Sequence, residues 1–464
     1  MLRRIFSSKA LAPVVAIAAL SLPAAATAAV LPAGFTDSLV ASVPAPTALA
    51  FTPDGRLLVT SQSGTLRVVE GGTLLDTPAL DFGSGICTDN ERGLLGVAAD
   101  PAFAANHFIY LYYTAATGSS CTNRVSRFVL SNSNVVDPAS ESILINSPSP
   151  GCCHNGGDLQ FGKDGYLYVS VGDGGLGGRD RSVLLGKILR ITSDGGIPPD
   201  NPFLGADSAR CNVTGSTDPG KVCQETYSWG LRNPFRIAFD PNAPGTRFYI
   251  NDVGQSTWEE IDAAQAGADY GWNVREGFCA TGSTTDCGPP PAGMTNPIFA
   301  YAHANGCDAI TGGAFVPNGI WPDAYNGSYL FADYLCGTMF QLVPSGSGTF
   351  TATTFASGFG SGGPIAMMFG PSGTTQGLYY TTYVGGGEVR RIDLTQPENH
   401  APTAAIAADV TSGPAPLTVK FDGGASNDPD VSDTLTYIWD FGDGTTPSET
   451  TSATVTHVYS SAGT

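Results

Sequence analysis

The chain has 464 residues, room for two or three domains at roughly 100–200 residues each. Charged residues make up 14%, against about 25% in an average soluble protein, and a hydrophobic content of 42% supports a packed core and excludes global disorder. With 22 basic and 41 acidic residues the net charge is −19, which repels phosphate backbones and anionic lipid and argues against nucleic-acid and membrane-surface partners.

Residues 1–28 read as a signal peptide. Arg3, Arg4 and Lys9 precede an apolar run over residues 10–20, and Ala26-Thr27-Ala28 forms a small-x-small cleavage site. The run is short for a membrane span and Pro13 and Pro23 interrupt it. The expectation is a periplasmic or secreted protein with no membrane span after cleavage. Ten cysteines, all between Cys87 and Cys336, suit an oxidising compartment. Cys211–Cys223, Cys279–Cys287 and Cys307–Cys336 are plausible local pairs. For Cys152-Cys153, distant partners such as Cys87 or Cys121 are favoured over a vicinal disulfide.

Residues 29–395 repeat one pattern: an apolar strand, a Pro/Asp/Gly turn, an alternating strand, and often a third. Residues 47–69 read TALAFTPDGRLLVTSQSGTLRVV and residues 158–171 read DLQFGKDGYLYVSV. Related units begin near Gly93, Arg236, Ile310 and Ile365. Alternation of period two with turn residues between strands excludes a helical fold. Units of about 60 residues match a four-stranded blade plus loops. The expected fold is all-β, a six-bladed β-propeller. A short polar linker over residues 396–400 follows.

Residues 401–464 alternate again. The motifs PLTV at 416–419, SNDPD at 426–430 and WDFGDG at 439–444 resemble a polycystic-kidney-disease (PKD) repeat, an immunoglobulin-like β-sandwich. Such repeats continue into a last strand beyond the position of Thr464, so the expectation is a C-terminally incomplete PKD domain that binds polysaccharide or protein, or acts as a spacer.

Propellers place ligands over the central channel, on loops from several blades. His154, in CCHNGGD, and Asp173, in GDGG, bracket one hairpin and can meet at the same end. A neutral imidazole beside a carboxylate is a suitable general base. Arg232, in WGLRNP, can hold an oxyanion or carboxylate. The stretch from Asn251 to Gln255, followed by Glu259-Glu260 and Tyr270, offers carboxylates and carbonyls to a hard cation such as calcium. Serine-hydrolase, zincin and nucleotide-binding patterns are missing.

Together these stretches resemble the glucose/sorbosone dehydrogenase family. The resemblance rests on ERGLLGVAADPAF at 91–103, HNGGDLQFGKDGYLYVSVGD at 154–173, GLRNPFRIAF at 230–239, DVGQSTWEEID at 252–262 and GADYGWNVREG at 267–277. It implies pyrroloquinoline quinone (PQQ) and calcium above a six-bladed propeller, a small sugar as substrate, oxidation of the C1 hydroxyl of aldoses to lactones with hydride passing to the quinone, and an external electron acceptor. It implies His154 as the base, Asp173 as its orienting partner and Arg232 as the stabiliser of charge on the quinone oxygen. Asn233 and Glu91 would lie beside the cofactor, Gly254 and Gln255 would offer calcium-ligating carbonyls, and Glu260 and Tyr270 would match a second calcium pair. Three departures stand out. Glu91 replaces the Gln of quinone-binding members. Tyr334-Leu335-Cys336-Gly337 stands where those enzymes carry a Lys-containing loop, and Gly362-Gly363-Pro364-Ile365 where they carry Arg-x-Arg. Arg179, Arg181 or Arg275 are candidates to replace these cations. The alternative is a non-catalytic propeller that binds carbohydrate or protein at the cell surface, as in the hedgehog-interacting branch of the family.

Overall fold

The computed structural model describes residues 29–148, 151, 153–346, 348–395, 400–430, 433–446 and 448–463. The expected signal peptide, Cys152 and all but the last residue of the expected linker lie outside them. The described residues fall into two compact units, 29–317 with 327–393 and 318–326 with 394–464.

The larger unit is built of antiparallel sheets that follow the sequence repeats. The first holds Pro46–Phe51, Leu57–Ser61 and Thr65–Glu70 with the short strands Thr73–Leu74 and Leu80–Asp81. The second holds Leu94–Ala99, Phe108–Thr117, Ser120–Leu130 and Val136–Pro148. The third holds Leu159–Phe161, Leu167–Val171, Lys187–Ile191 and Thr226–Trp229, and the fourth Pro234–Phe239, Phe248–Asp252, Trp258–Ala263 and Phe299–Ala302. The fifth holds Ile310–Phe315, Tyr329–Asp333, Thr338–Gly346 and Thr349–Ala356. The sixth joins Met367–Ser372, Thr375–Thr382 and Glu388–Leu394 to the early strand Phe35–Ser42. The first strands of neighbouring sheets touch in order, and that of the sixth touches that of the first. This is the ring of a β-propeller. The N-terminal strand closes it, so chain order and ring order differ by one strand, and the Arg390–Asp37 ion pair (2.9 Å) adds to that seam.

The repeats predicted strands, but the alternation fails where burial is deepest. Leu57–Ser61, Leu167–Val171, Phe248–Asp252 and Tyr329–Asp333 are buried at every position. The physical reason is that a middle strand is covered on both faces by the neighbouring sheets, as in any sheet buried on two sides. Outer strands such as Thr349–Ala356 keep an alternating face. Separate apolar clusters fill the gaps, for example around Leu58, Leu111 and Phe128 between the first and second sheets. Another lies around Tyr168, Ile188 and Phe248 between the third and fourth. At one end of the channel Phe51, Phe161, Phe239, Phe315 and Phe369 converge from five of the six first strands.

Disulfides Cys211–Cys223, Cys279–Cys287 and Cys307–Cys336 join the pairs expected from spacing. Cys87 bonds Cys121. That overturns the expected pairing of Cys152 and Cys153 with those two residues. Cys87 and Cys121 flank a hairpin whose own strands bring them together, so no distant partner is required.

The smaller unit contains a three-stranded sheet of Ala407–Ala408, Leu417–Asp422 and Thr454–Tyr459 and a two-stranded one of Tyr437–Trp439 with Ser448–Thr450. Val419 and Trp439 are its buried apolar side chains among the described residues.

Candidate active site

The hairpin that carries the third sheet's first two strands delivers His154 and Asp173 to one end of the ring. His154 has φ 55°, a left-handed conformation disfavoured for a residue with a β-carbon. Its carbonyl lies so close to Gly172 that a β-carbon there would stand 2.0 Å from it. Only glycine permits that approach. His154 Nδ1 is 2.7 Å from Asp173 Oδ1 and Nε2 is 2.9 Å from Arg232 Nη2. A carboxylate only accepts and a guanidinium only donates, so the proton sits on Nδ1 and the Nε2 lone pair faces Arg232. The imidazole is therefore neutral, with its basic nitrogen covered by an arginine N–H.

Asp173 is 1% exposed and fully engaged. It also accepts Gly175 N–H (2.7 Å), Gly177 N–H (3.0 Å) and Trp272 Nε1–H (2.7 Å). Burial acts to raise its carboxyl, but the donors from His154, Gly175 and Trp272 outweigh it and hold the group below the usual carboxylate range. Trp272 has a second contact, with the Arg232 guanidinium 5.6 Å over its ring.

Arg232 and Asn233 precede the fourth sheet. Their backbone N–H groups donate to Asp252 at 2.9 and 2.6 Å. The Arg232 guanidinium donates to Gln255 Oε1 from Nε (3.0 Å) and Nη2 (2.8 Å), and to Val253 O from Nη1 (2.9 Å). The Gln255 side chain is thus committed to Arg232. The turn that supplies it is braced by Glu276, one oxygen of which accepts the N–H groups of Gln255, Ser256, Thr257 and Trp258 at 2.8–3.2 Å. Burial alone would raise Glu276, yet these donors keep it below its ordinary range. Gly254 N–H donates to Glu259 at 3.2 Å.

Beside this constellation lies a cavity of about 430 Å³. Glu91, Gly156, Asn233, Arg236, Tyr334 and Tyr383 are among its walls. Glu91 accepts His154 N–H (2.6 Å), and Asn233 Oδ1 accepts Gly156 N–H (3.0 Å). Of the sequence-derived residues, Glu91 and Asn233 therefore line the cavity, and His154, Asp173 and Arg232 join Glu91 through hydrogen bonds behind it. The candidate substitute cations are not in its wall. Arg179 is held bidentately by Asp269 (3.0 and 2.8 Å) against Trp229, and Arg181 stacks on Trp229 and Phe203. Arg275 donates to the carbonyls of Phe278 and Gly288. The cation that lines the cavity is Arg236, four residues after Arg232.

Glu260 and Tyr270 are both buried but do not face a common vacancy through their side chains. The Tyr270 hydroxyl donates to Ala263 O (2.6 Å) and accepts Gln265 N–H (3.1 Å). Glu260 instead clusters with Asp252 and Asp262, with one oxygen from each within 4.8 Å of the others. Both Asp262 oxygens are buried without a hydrogen-bond partner. Burial pushes Asp252 up to about 7, and burial and mutual repulsion push Glu260 and Asp262 well above the carboxylate range. Three buried carboxylates with an orphaned member fit an oxygen-liganded hard cation. The sequence carried a signal for this: Glu260 and Asp262 are two apart on one strand and so share a face, opposite Asp252.

The family model for glucose/sorbosone dehydrogenases matches residues 43–343. The chain belongs to that family. Residues 399–464 match the PKD domain, which identifies the smaller unit. The aldose sugar dehydrogenase of Escherichia coli is 30% identical over 289 residues, 60% of this chain and 72% of that protein. The HIPL2 protein of Arabidopsis thaliana is 27% identical over 371 residues, 65% of this chain and 51% of that protein. The PQQ-bound aldose sugar dehydrogenase from Streptomyces coelicolor is 25% identical, with a TM-score of 0.60 over 78% of this chain and 99% of that one. The chain spans 51–57% of the length of the first three curated relatives it matches. No helix among the described residues is long and apolar enough to cross a membrane.

Proposed function

We propose that this family member is an exported, PQQ-dependent sugar dehydrogenase that oxidises the C1 hydroxyl of aldoses to lactones on a six-bladed propeller. The observation that carries the reading is the neutral His154, held by Asp173 at Nδ1 with its Nε2 lone pair turned to Arg232, beside a cavity that has Tyr334 and Tyr383 in its walls. The cavity suits an anionic ligand: the buried Arg236 Nε in its wall has no partner, and Tyr334 and Tyr383 stand in the wall with it. Glu91, Asn233, Arg232 and Arg236 would hold PQQ. When bound, PQQ supplies the acceptor for the hydride leaving C1.

The chain's own residues do the rest. His154 Nε2 takes the hydroxyl proton once the sugar displaces Arg232 Nη2 from it. Asp173 keeps the ring in the required tautomer and stabilises the imidazolium that forms. Arg232 stays held by Gln255 and Val253 and presents its charge beside the cofactor. The carbonyls of Gly254 and Gln255 would hold calcium at the cofactor, and Asp252, Glu260 and Asp262 a second ion below Arg232 and Asn233.

A second reading is a non-catalytic carbohydrate- or protein-binding propeller. It is favoured by the uncharged lining at Tyr334 and Ile365, where the enzymes of this family carry cations. Titration of the protein with PQQ and calcium, followed by quinone absorbance and then by glucose with a redox dye, separates the two. Stoichiometric binding with dye reduction supports the dehydrogenase. No binding at micromolar PQQ would sink it and leave the scaffold.

A further inference from the structure

Arg236 is 5% exposed and sits where the cavity meets the central channel, in the walls of both. Its Nη1 donates to Phe235 O (2.7 Å) and its Nη2 to Thr47 O, both neutral acceptors. Its Nε is buried without a partner. The Phe235 ring lies 4.4 Å from the guanidinium and keeps water from one face. The nearest acid it feels, Asp158, is already taken, accepting Leu159 N–H (3.0 Å), Ile237 N–H (2.9 Å) and Gln160 Nε2–H (3.3 Å). Arginine does not shed its proton in a protein. Asp158 offsets part of the Arg236 charge through space, but no carboxylate touches the guanidinium and its buried Nε–H is left without an acceptor, which is costly to keep.

Its surroundings sharpen the point. The protein carries a net −19, yet Arg236 in the cavity wall and its neighbour Arg232 make no ion pair to a side-chain carboxylate among the described residues. Of the other buried arginines, Arg56 pairs with Asp54 and Arg190 with Asp164 and Asp200, while Arg275, outside the cavity wall, is held by the carbonyls of Phe278 and Gly288. The positions of the fifth and sixth sheets that face the cavity, Tyr334 and Ile365, bring no charge.

We propose that Arg236 is the anchor for a carboxylate of the bound ligand, gripping from the cavity floor what the fifth and sixth sheets leave ungripped. This rests on the quinone reading for the identity of the ligand, PQQ, but not for the chemistry of the anchor, which is that of a polycarboxylate.

The test titrates PQQ, with calcium, into the full chain and its Arg236→Met and Arg236→Lys variants, and measures thermal unfolding of the same proteins in graded citrate. The expected result is PQQ affinity lowered about tenfold or more in Arg236→Met, as for loss of a charge-assisted hydrogen bond, with partial recovery and a persisting salt dependence in Arg236→Lys. Equal PQQ affinity in wild type and Arg236→Met overturns the anchor and leaves the dehydrogenase standing. If the wild type binds no PQQ, the quinone reading fails and citrate decides: stabilisation that Arg236→Met abolishes upholds the anchor, and stabilisation independent of residue 236, or none, overturns it. Should Arg236→Met not fold, Arg236→Lys answers the same question. A point charge on a shorter stem cannot reproduce the planar fork, so unchanged affinity in that variant also overturns the proposal.

Discussion

The third and fourth sheets give the cavity Gly156, Asn233 and Arg236, and behind that wall they hold His154, Arg232 and an acid network that runs to Asp252, Glu260 and Asp262. The fifth and sixth line their side with Ile310, Thr311, Tyr334 and Ile365, none of them charged. Proton handling therefore resides in one half of the ring, and the other half brings no charge with which to grip an anionic ligand. The first half is over-determined: His154, Asp173, Arg232, Gln255 and Glu276 hold one another through hydrogen bonds of 2.7–3.2 Å. The second half can change its side chains without disturbing that chain of contacts. A family member can keep its base while altering its hold on the cofactor.

The largest effect that would break this division is loss of the base. His154→Ala should lower dye-linked sugar oxidation by about 10³-fold while PQQ affinity stays within a few-fold, measured by steady-state kinetics beside a binding titration. Asp173→Asn is the next step down. Its amide cannot stabilise an imidazolium as a carboxylate does, so kcat should fall roughly 10²-fold with KM little changed. Parallel losses in PQQ affinity would mean that the halves are not separable.

Adding charge to the second half sharpens the comparison from the other side. Tyr334→Lys should tighten PQQ binding about tenfold, as one charge-assisted hydrogen bond gained, with no change in kcat at saturating cofactor. No gain would show that Tyr334 does not face the cofactor's carboxylates.

The smallest effect concerns stability beneath the dyad. Lys187 is wholly buried and donates to Gly178 O (2.9 Å) and Leu185 O (2.5 Å). Burial pushes its ammonium down to about 7, against the pull of Asp180, Asp269 and Asp173. The folded state therefore sheds this proton at a lower pH than the unfolded chain does. Between about 7 and the ordinary lysine value of about 10.4 the unfolded chain binds more protons, so this group makes stability rise with pH across that window. Below it the penalty is present in full, on the order of a few kcal/mol. Denaturant midpoints of Lys187→Met should show a flatter pH dependence than the wild type between pH 7 and 10. Parallel curves would place the charge elsewhere.

Much of this was legible in the sequence, for definite reasons. Repeats of strand, turn and strand predicted the sheets because each blade needs the same apolar pattern. His154 and Asp173 could be paired because the strands between them form one hairpin, which fixes both ends to the same side. The closing strand Phe35–Ser42 was not legible, since it lies a whole ring away in sequence from its partner Glu388–Leu394. Asp252 and Asp262 were missed as a pair because an acid in a strand reads as the solvent-facing half of the alternation, and here both faces are covered. Arg236 was not legible because it sits within the strand Pro234–Phe239, where the alternation reads a charged residue as solvent-facing.

The most direct test of the central claim is an anaerobic single turnover. Protein loaded with one equivalent of PQQ and with calcium is mixed with glucose, and lactone is quantified alongside quinone absorbance. The account predicts close to one lactone per loaded chain, with loss of the oxidised-quinone band. Full cofactor loading with no lactone and an unchanged band would contradict it, and would make the His154 dyad the relic of an enzyme on a binding scaffold.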